Sequence, residues 1–163
     1  MALSGVGQER RVAGLPSRQL LALRGNTFGV LAMLIVQFAI GVVVSLYATI
    51  PAKDKGSGII GAIGRALTNG PGSLVTHAGL GLLIVLAALA LVARSIRARH
   101  TASIVLSVAG LTAIASAALS GAQFVADGGA ASASLTMALS TAVAMLCYAT
   151  GLLLLGFGRP SSD

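Results

Sequence analysis

Four windows of this 163-residue chain, 25–52, 66–93, 100–126 and 128–158, contain no Lys, Arg, Asp or Glu. Each exceeds the roughly 20 apolar residues that an α-helix needs to cross a bilayer core. A helix is the form such a segment takes there, because no water is present to satisfy open backbone N–H and C=O groups. The expected fold is therefore all-α, an integral membrane antiparallel four-helix bundle. Composition agrees: only 9% of residues are charged and the mean hydropathy is +0.94, whereas a soluble domain carries about 25% charged residues. Four spans and their connections use almost the whole chain and leave no room for a soluble domain.

The expected organisation is a basic tail over 1–26, a four-helix domain over 27–157 and a short tail over 158–163. The first span is placed at about 27–49, with Asn26 as its cap and Pro51 ending it. The others are placed at about 73–93, 102–124 and 133–157. Residues 1–24 lack an apolar h-region and are not a cleavable signal peptide. Within them, Leu15 to Arg24 is read either as a short interfacial helix or as a tail. The longest loop, 52–73, is Gly-rich, and Ile59, Ile60, Ile63 and Leu67 share helical spacing opposite Arg65. That pattern suggests a short amphipathic helix resting on the outer membrane surface. The short connections after the second and third spans favour sequential antiparallel packing.

The net charge of +7 is read as topology. Short cytoplasmic loops are enriched in Lys and Arg, and with four crossings eight of the eleven basic residues fall on the side holding both termini and the Arg94–Arg99 turn. Both termini are thus expected in the cytoplasm, at the plasma membrane, with the basic side facing anionic head groups. No basic patch with interleaved aromatics is present, so nucleic acid is not an expected partner. The expected partners are the lipid bilayer and other membrane proteins or a second copy of the chain. The single cysteine, Cys147, is deep in the last apolar window and is read as a small packing residue.

Small and hydroxyl-bearing residues recur along the spans at helical spacing: Gln37, Gly41 and Ser45; His77, Gly81 and Ala88; Thr112, Ser116, Ser120 and Gln123; Thr136, Ser140, Ala144, Cys147 and Gly151. Such stripes are read mainly as packing seams, since membrane helices associate through small residues and interhelical hydrogen bonds. His77 stands apart, because an ionisable residue inside a span is a functional candidate by default. It lies about one turn into the second span. Gln37, Tyr47 and Gln123 are the expected polar cluster, with Tyr47 and Gln123 at the depth of His77. Two readings stay open. In one, His77 is a neutral ring hydrogen-bonded to Gln123 or a Thr. In the other it serves a haem, a metal, a proton path or a quinone. His100 cannot join it, being roughly 35 Å away along the helix at about 1.5 Å per residue. Met137, at the start of the fourth span, has the depth of a second axial ligand, and His/Met ligation suits haem.

The runs Val36–Gly41, Tyr47–Pro51, Thr76–Gly81, Ser120–Phe124 and Ser134–Leu139 resemble a family of small four-span actinobacterial membrane proteins without an assigned activity, over about residues 26–157. That resemblance implies the fold. The His77-Ala78-Gly79-Leu80-Gly81 segment is also similar to haem-ligand helices of half-size haem A synthase and cytochrome b561-like bundles, which implies a ligand role for His77. Those families place a second His on another helix, where this chain has Ser134, Leu135, Thr136 and Met137.

No GxSxG, HExxH, Walker A or CxxC pattern occurs, and no Asp or Glu lies in a span. No catalytic residue, metal site or cofactor is expected. The leading expectation is a non-enzymatic accessory or partner-binding subunit. The alternative is a haem- or quinone-binding redox protein using His77 near the outer face. A small-solute transporter is disfavoured, because intramembrane charge and inverted repeats are missing.

Overall fold

The structure is a computed structural model, and it describes residues 17–47, 58, 60–61, 64 and 72–157. Four long helices account for nearly all of them: α1 (Ser17–Tyr47), α2 (Gly72–Arg97), α3 (Thr101–Ala126) and α4 (Ala131–Phe157). The chain is all-helical among the described residues, and all four helices are long and apolar enough to cross a membrane. Ile60 is the only described member of the apolar stripe expected in the long loop; that expectation otherwise lies outside the described residues, as does the role of Pro51.

Three helices begin and end within four residues of the expected spans. The first does not. α1 starts at Ser17, about ten residues before the expected start, so Asn26 is an interior helix residue and Ser17–Arg24 continues directly into the rest of the helix. Two physical reasons account for this. No proline follows Pro16 within the segment, and Leu20 and Leu23 give the first turns an apolar face that packs on the core. The arginines Arg18 and Arg24 lie on its exposed side.

The two described turns are built from specific backbone conformations. After α2, Arg99 takes the left-handed region at φ 53°, and His100 caps α3 by accepting the Ser103 backbone N–H at Nδ1. After α3, Gly128 and Gly129 both have positive φ. The Gly129 N–H reaches the Phe124 carbonyl at 2.8 Å and the Gly128 N–H reaches the Val125 carbonyl at 3.2 Å, the paired bonds of a glycine-terminated helix.

Each helix packs against two others. α3 and α4 make the most extensive contact, α1 lies against α2 and α4, and α2 lies against α3. Among the described residues the interior forms two clusters. The larger spans all four helices around Leu34, Ile84, Ala88, Ile114, Ala144 and Tyr148. The smaller is centred on Val44, Leu74, Phe124 and Val125. Small residues set the closest approaches, with Ala88 and Ala144 fully enclosed. The outward faces are covered by large apolar side chains such as Leu82, Leu86, Leu146 and Leu153.

Candidate functional site

A cavity of about 380 Å³ lies between the two core clusters. Its wall includes Leu34, Ile84 and Ile114 from the larger cluster and Val44, Leu74 and Phe124 from the smaller. That volume is at the small end of the roughly 300–1,000 Å³ typical of ligand sites. The wall is overwhelmingly apolar. Its polar members among the described residues are Gln37 and Ser45 from α1, His77 from α2, and Ser134 and Thr141 from α4.

Gln37 and His77 form a pair across the α1–α2 contact. Gln37 Nε2 lies 3.0 Å from the His77 backbone carbonyl and 3.3 Å from His77 Nε2. Glycines make this approach possible on both sides. A Cβ at Gly41 would meet His77 Cε1 at 3.0 Å, and a Cβ at Gly81 would meet Gln37 Nε2 at 3.2 Å. Each helix thus sets a long polar side chain against a glycine placed four residues beyond the partner's own polar residue. The sequence carries the signal, Gln-x-x-x-Gly at 37–41 and His-x-x-x-Gly at 77–81, and its reciprocity is what reading each stripe alone misses.

The other wall hydroxyls are already partnered. Ser45 and Ser134 share a 2.8 Å hydrogen bond between α1 and α4. Thr141 donates to the Met137 carbonyl on its own helix. Two wall atoms have no hydrogen-bond partner among the described residues, Gln37 Oε1 and His77 Nδ1, and both are enclosed. Met137 also lines the cavity, its Sδ 3.2 Å from where a Cβ at Gly121 would stand. The structure therefore brings His77, Met137 and Gln37 to one cavity.

It does not bring Tyr47 and Gln123 there. Tyr47 is 79% exposed. Gln123 is exposed too; it lies two and a half turns from the wall residue Ile114 at about 3.6 residues per turn, on the opposite side of α3. The partner of His77 is accordingly Gln37, and neither Gln123 nor a Thr. Depth in the membrane orders residues along a helix but leaves their direction around it open.

The stripes divide in the same way. Those of α1 and α2 are contact seams, as is much of α4, where Ala144 and Gly151 are buried. That of α3 is mixed. Ser120 is buried, and Ser116 reaches Ser140 on α4 at 3.1 Å, but Thr112 faces outward and bonds the Val108 carbonyl of its own helix. A hydroxyl satisfied by its own backbone has no need of a neighbouring helix. Cys147 is half-buried and unbridged. No group of three His, Cys, Asp or Glu comes together among the described residues.

Comparison with known proteins finds no matching family model, no similar curated protein and no similar solved structure. Function has to be argued from the cavity itself.

Proposed function

We propose that this chain is a multi-pass integral membrane protein of the plasma membrane that holds a lipid-soluble small molecule between its helices and performs no chemistry of its own. The carrying observation is the apolar cavity with one buried Gln–His pair in its wall. Sites of this kind combine a mostly apolar lining with a few polar groups that fix orientation. Membership of the bilayer is supported by the large apolar side chains turned outward on every helix, a surface that water would penalise and lipid would not.

The four helices cross as an antiparallel bundle. Gln37 meets Gly81 while Gly41 meets His77, so rising numbers on α1 pair with falling numbers on α2. The basic turn at Arg94–Arg99 and both termini face the cytoplasm, which sets the cavity toward the outer half of the membrane. In this role the protein serves other membrane proteins as an accessory subunit or a carrier.

The haem reading is supported by His77 and Met137 sharing one cavity. It is weakened by His77 Nε2, which is engaged by the Gln37 amide. Ligation through that nitrogen would require Gln37 to leave.

The test is an organic extract of protein purified in mild detergent, analysed by mass spectrometry and visible absorption, beside the same extract from Ala138→Phe. Ala138 lines the cavity, and the larger side chain fills it. A colourless small molecule bound to the parent protein and lost from the folded variant is the expected result. Equal extracts from both would overturn the proposal, and a Soret band dependent on His77 would replace it with the haem reading.

A further inference from the structure

We propose that the cavity selects a neutral, lipid-soluble molecule whose polar end is a hydroxyl group, held by Gln37 Oε1 and His77 Nδ1. This rests on the ligand-binding reading above and names the chemical class of the ligand.

The hydrogen-bond pattern fixes what the wall offers. A backbone carbonyl can only accept, so the Gln37 atom 3.0 Å from the His77 carbonyl has to be the amide nitrogen. That settles the orientation of the amide, which atom positions alone leave ambiguous. The same nitrogen lies 3.3 Å from His77 Nε2. An amide N–H can only donate, so Nε2 accepts, and the neutral ring carries its hydrogen on Nδ1. Both hydrogens of the amide are then spent on one residue. One acceptor, Gln37 Oε1, and one donor, His77 Nδ1–H, have no protein partner.

These two are the only enclosed, unpartnered side-chain atoms among the described residues of the wall; the other two such atoms, on Ser95 and Tyr148, belong to residues outside it. Ser45, Ser134 and Thr141 make no competing demand, since each is bonded already.

A hydroxyl is the smallest group that donates and accepts at once. A ketone, quinone or ether only accepts and leaves Oε1 bare. A carboxylate also only accepts, and it would bring a charge into an apolar cavity. Both wall atoms are enclosed, so the apolar side chains that cover them have to give way to admit the head group, while the Gln37–His77 bonds that fix the donor and the acceptor stay in place. The rest of the wall calls for a hydrocarbon body. Phe38 and Val42 of α1 and Leu82 of α2 line the cavity and are also exposed, so the ligand has a route in past them.

The test uses the full chain in detergent micelles and four probes: 4-nonylphenol, its methyl ether, 1-dodecanol and dodecanoate. The phenol and the alcohol are expected to bind, the ether at least about tenfold more weakly, from the penalty of one buried group left unpaired, and dodecanoate more weakly still. Gln37→Met, which keeps the length of the side chain and removes Oε1, is expected to bring the phenol down to the level of the ether. If that variant fails to fold, the four probes on the parent protein still decide. Either hydroxyl probe binding tighter than the other supports the assignment and tells a ring-borne hydroxyl, as in a quinol, from an aliphatic one. Ether or dodecanoate binding as tightly as the hydroxyl probes overturns the hydroxyl assignment and leaves the cavity a site for lipophiles. No binding by any probe overturns the cavity reading itself.

Discussion

Gly110→Ala is a demanding test of the packing. Gly110 is buried on α3, where a Cβ would stand 2.6 Å from Cζ of Tyr148 and 2.9 Å from its Cε2 and Oη. Carbon atoms in contact prefer about 3.5–4.0 Å, so the ring has to retreat by close to an ångström. Tyr148 is only 1% exposed and sits in the larger core cluster, which leaves the ring little room. Overpacking of a core costs about 1–3 kcal/mol, and a rigid aromatic neighbour puts this case at the upper end. Replacing a helical glycine by alanine returns about 0.5–1 kcal/mol. The net expectation is a destabilisation of about 1–2 kcal/mol. The assay is far-UV circular dichroism of the detergent-solubilised protein during denaturation, run as a double-mutant cycle with Tyr148→Ala. Without the ring, Gly110→Ala becomes neutral or stabilising, giving a coupling of about 2 kcal/mol. A Gly110→Ala protein as stable as the parent with Tyr148 intact would refute the close contact between α3 and α4.

Gln37→Leu removes both bonds to His77 and should destabilise by about 1 kcal/mol, at the roughly 0.6 kcal/mol typical of such bonds between membrane helices; the same denaturation assay checks it, and a neutral effect would mean the pair contributes nothing to the fold. Arg99→Gly should stabilise by about 1 kcal/mol, since Arg99 holds a left-handed φ of 53° that glycine adopts freely; a loss of stability would show that the side chain matters more than the backbone. Gly129→Ala, at φ 102°, should destabilise by about 1–2 kcal/mol, seen as a lower denaturation midpoint.

The helices were legible in the sequence because a charge-free run of this length, read as a membrane span, has a single backbone solution. The turns at Arg94–His100 and Asp127–Gly129 were legible for a related reason: charge and glycine cluster there. The start of α1 was not. Arg18 and Arg24 read as a tail outside the membrane, yet nothing in Ser17–Asn26 stops a helix, and Leu23 finds the core. At the site, His77 stood out as the ionisable residue in a span. Its partner did not, because residue depth cannot separate Gln123, on the far side of α3, from Gln37, which faces α2 across Gly81. The capping role of His100 is likewise absent from the usual cap residues.

The ligand class and the weakening of the haem reading both rest on which nitrogen of His77 carries its hydrogen. Nitrogen-15 NMR of the histidine-labelled protein, with His77→Ala for assignment, reads this directly. The expected result is a neutral His77 protonated on Nδ1 and accepting at Nε2. His100 is the internal control, since its Nδ1 accepts from the Ser103 backbone N–H, which puts the hydrogen of the neutral ring on Nε2. A His77 protonated on Nε2 would contradict the Gln37–His77 geometry and, with it, the hydroxyl site built on it.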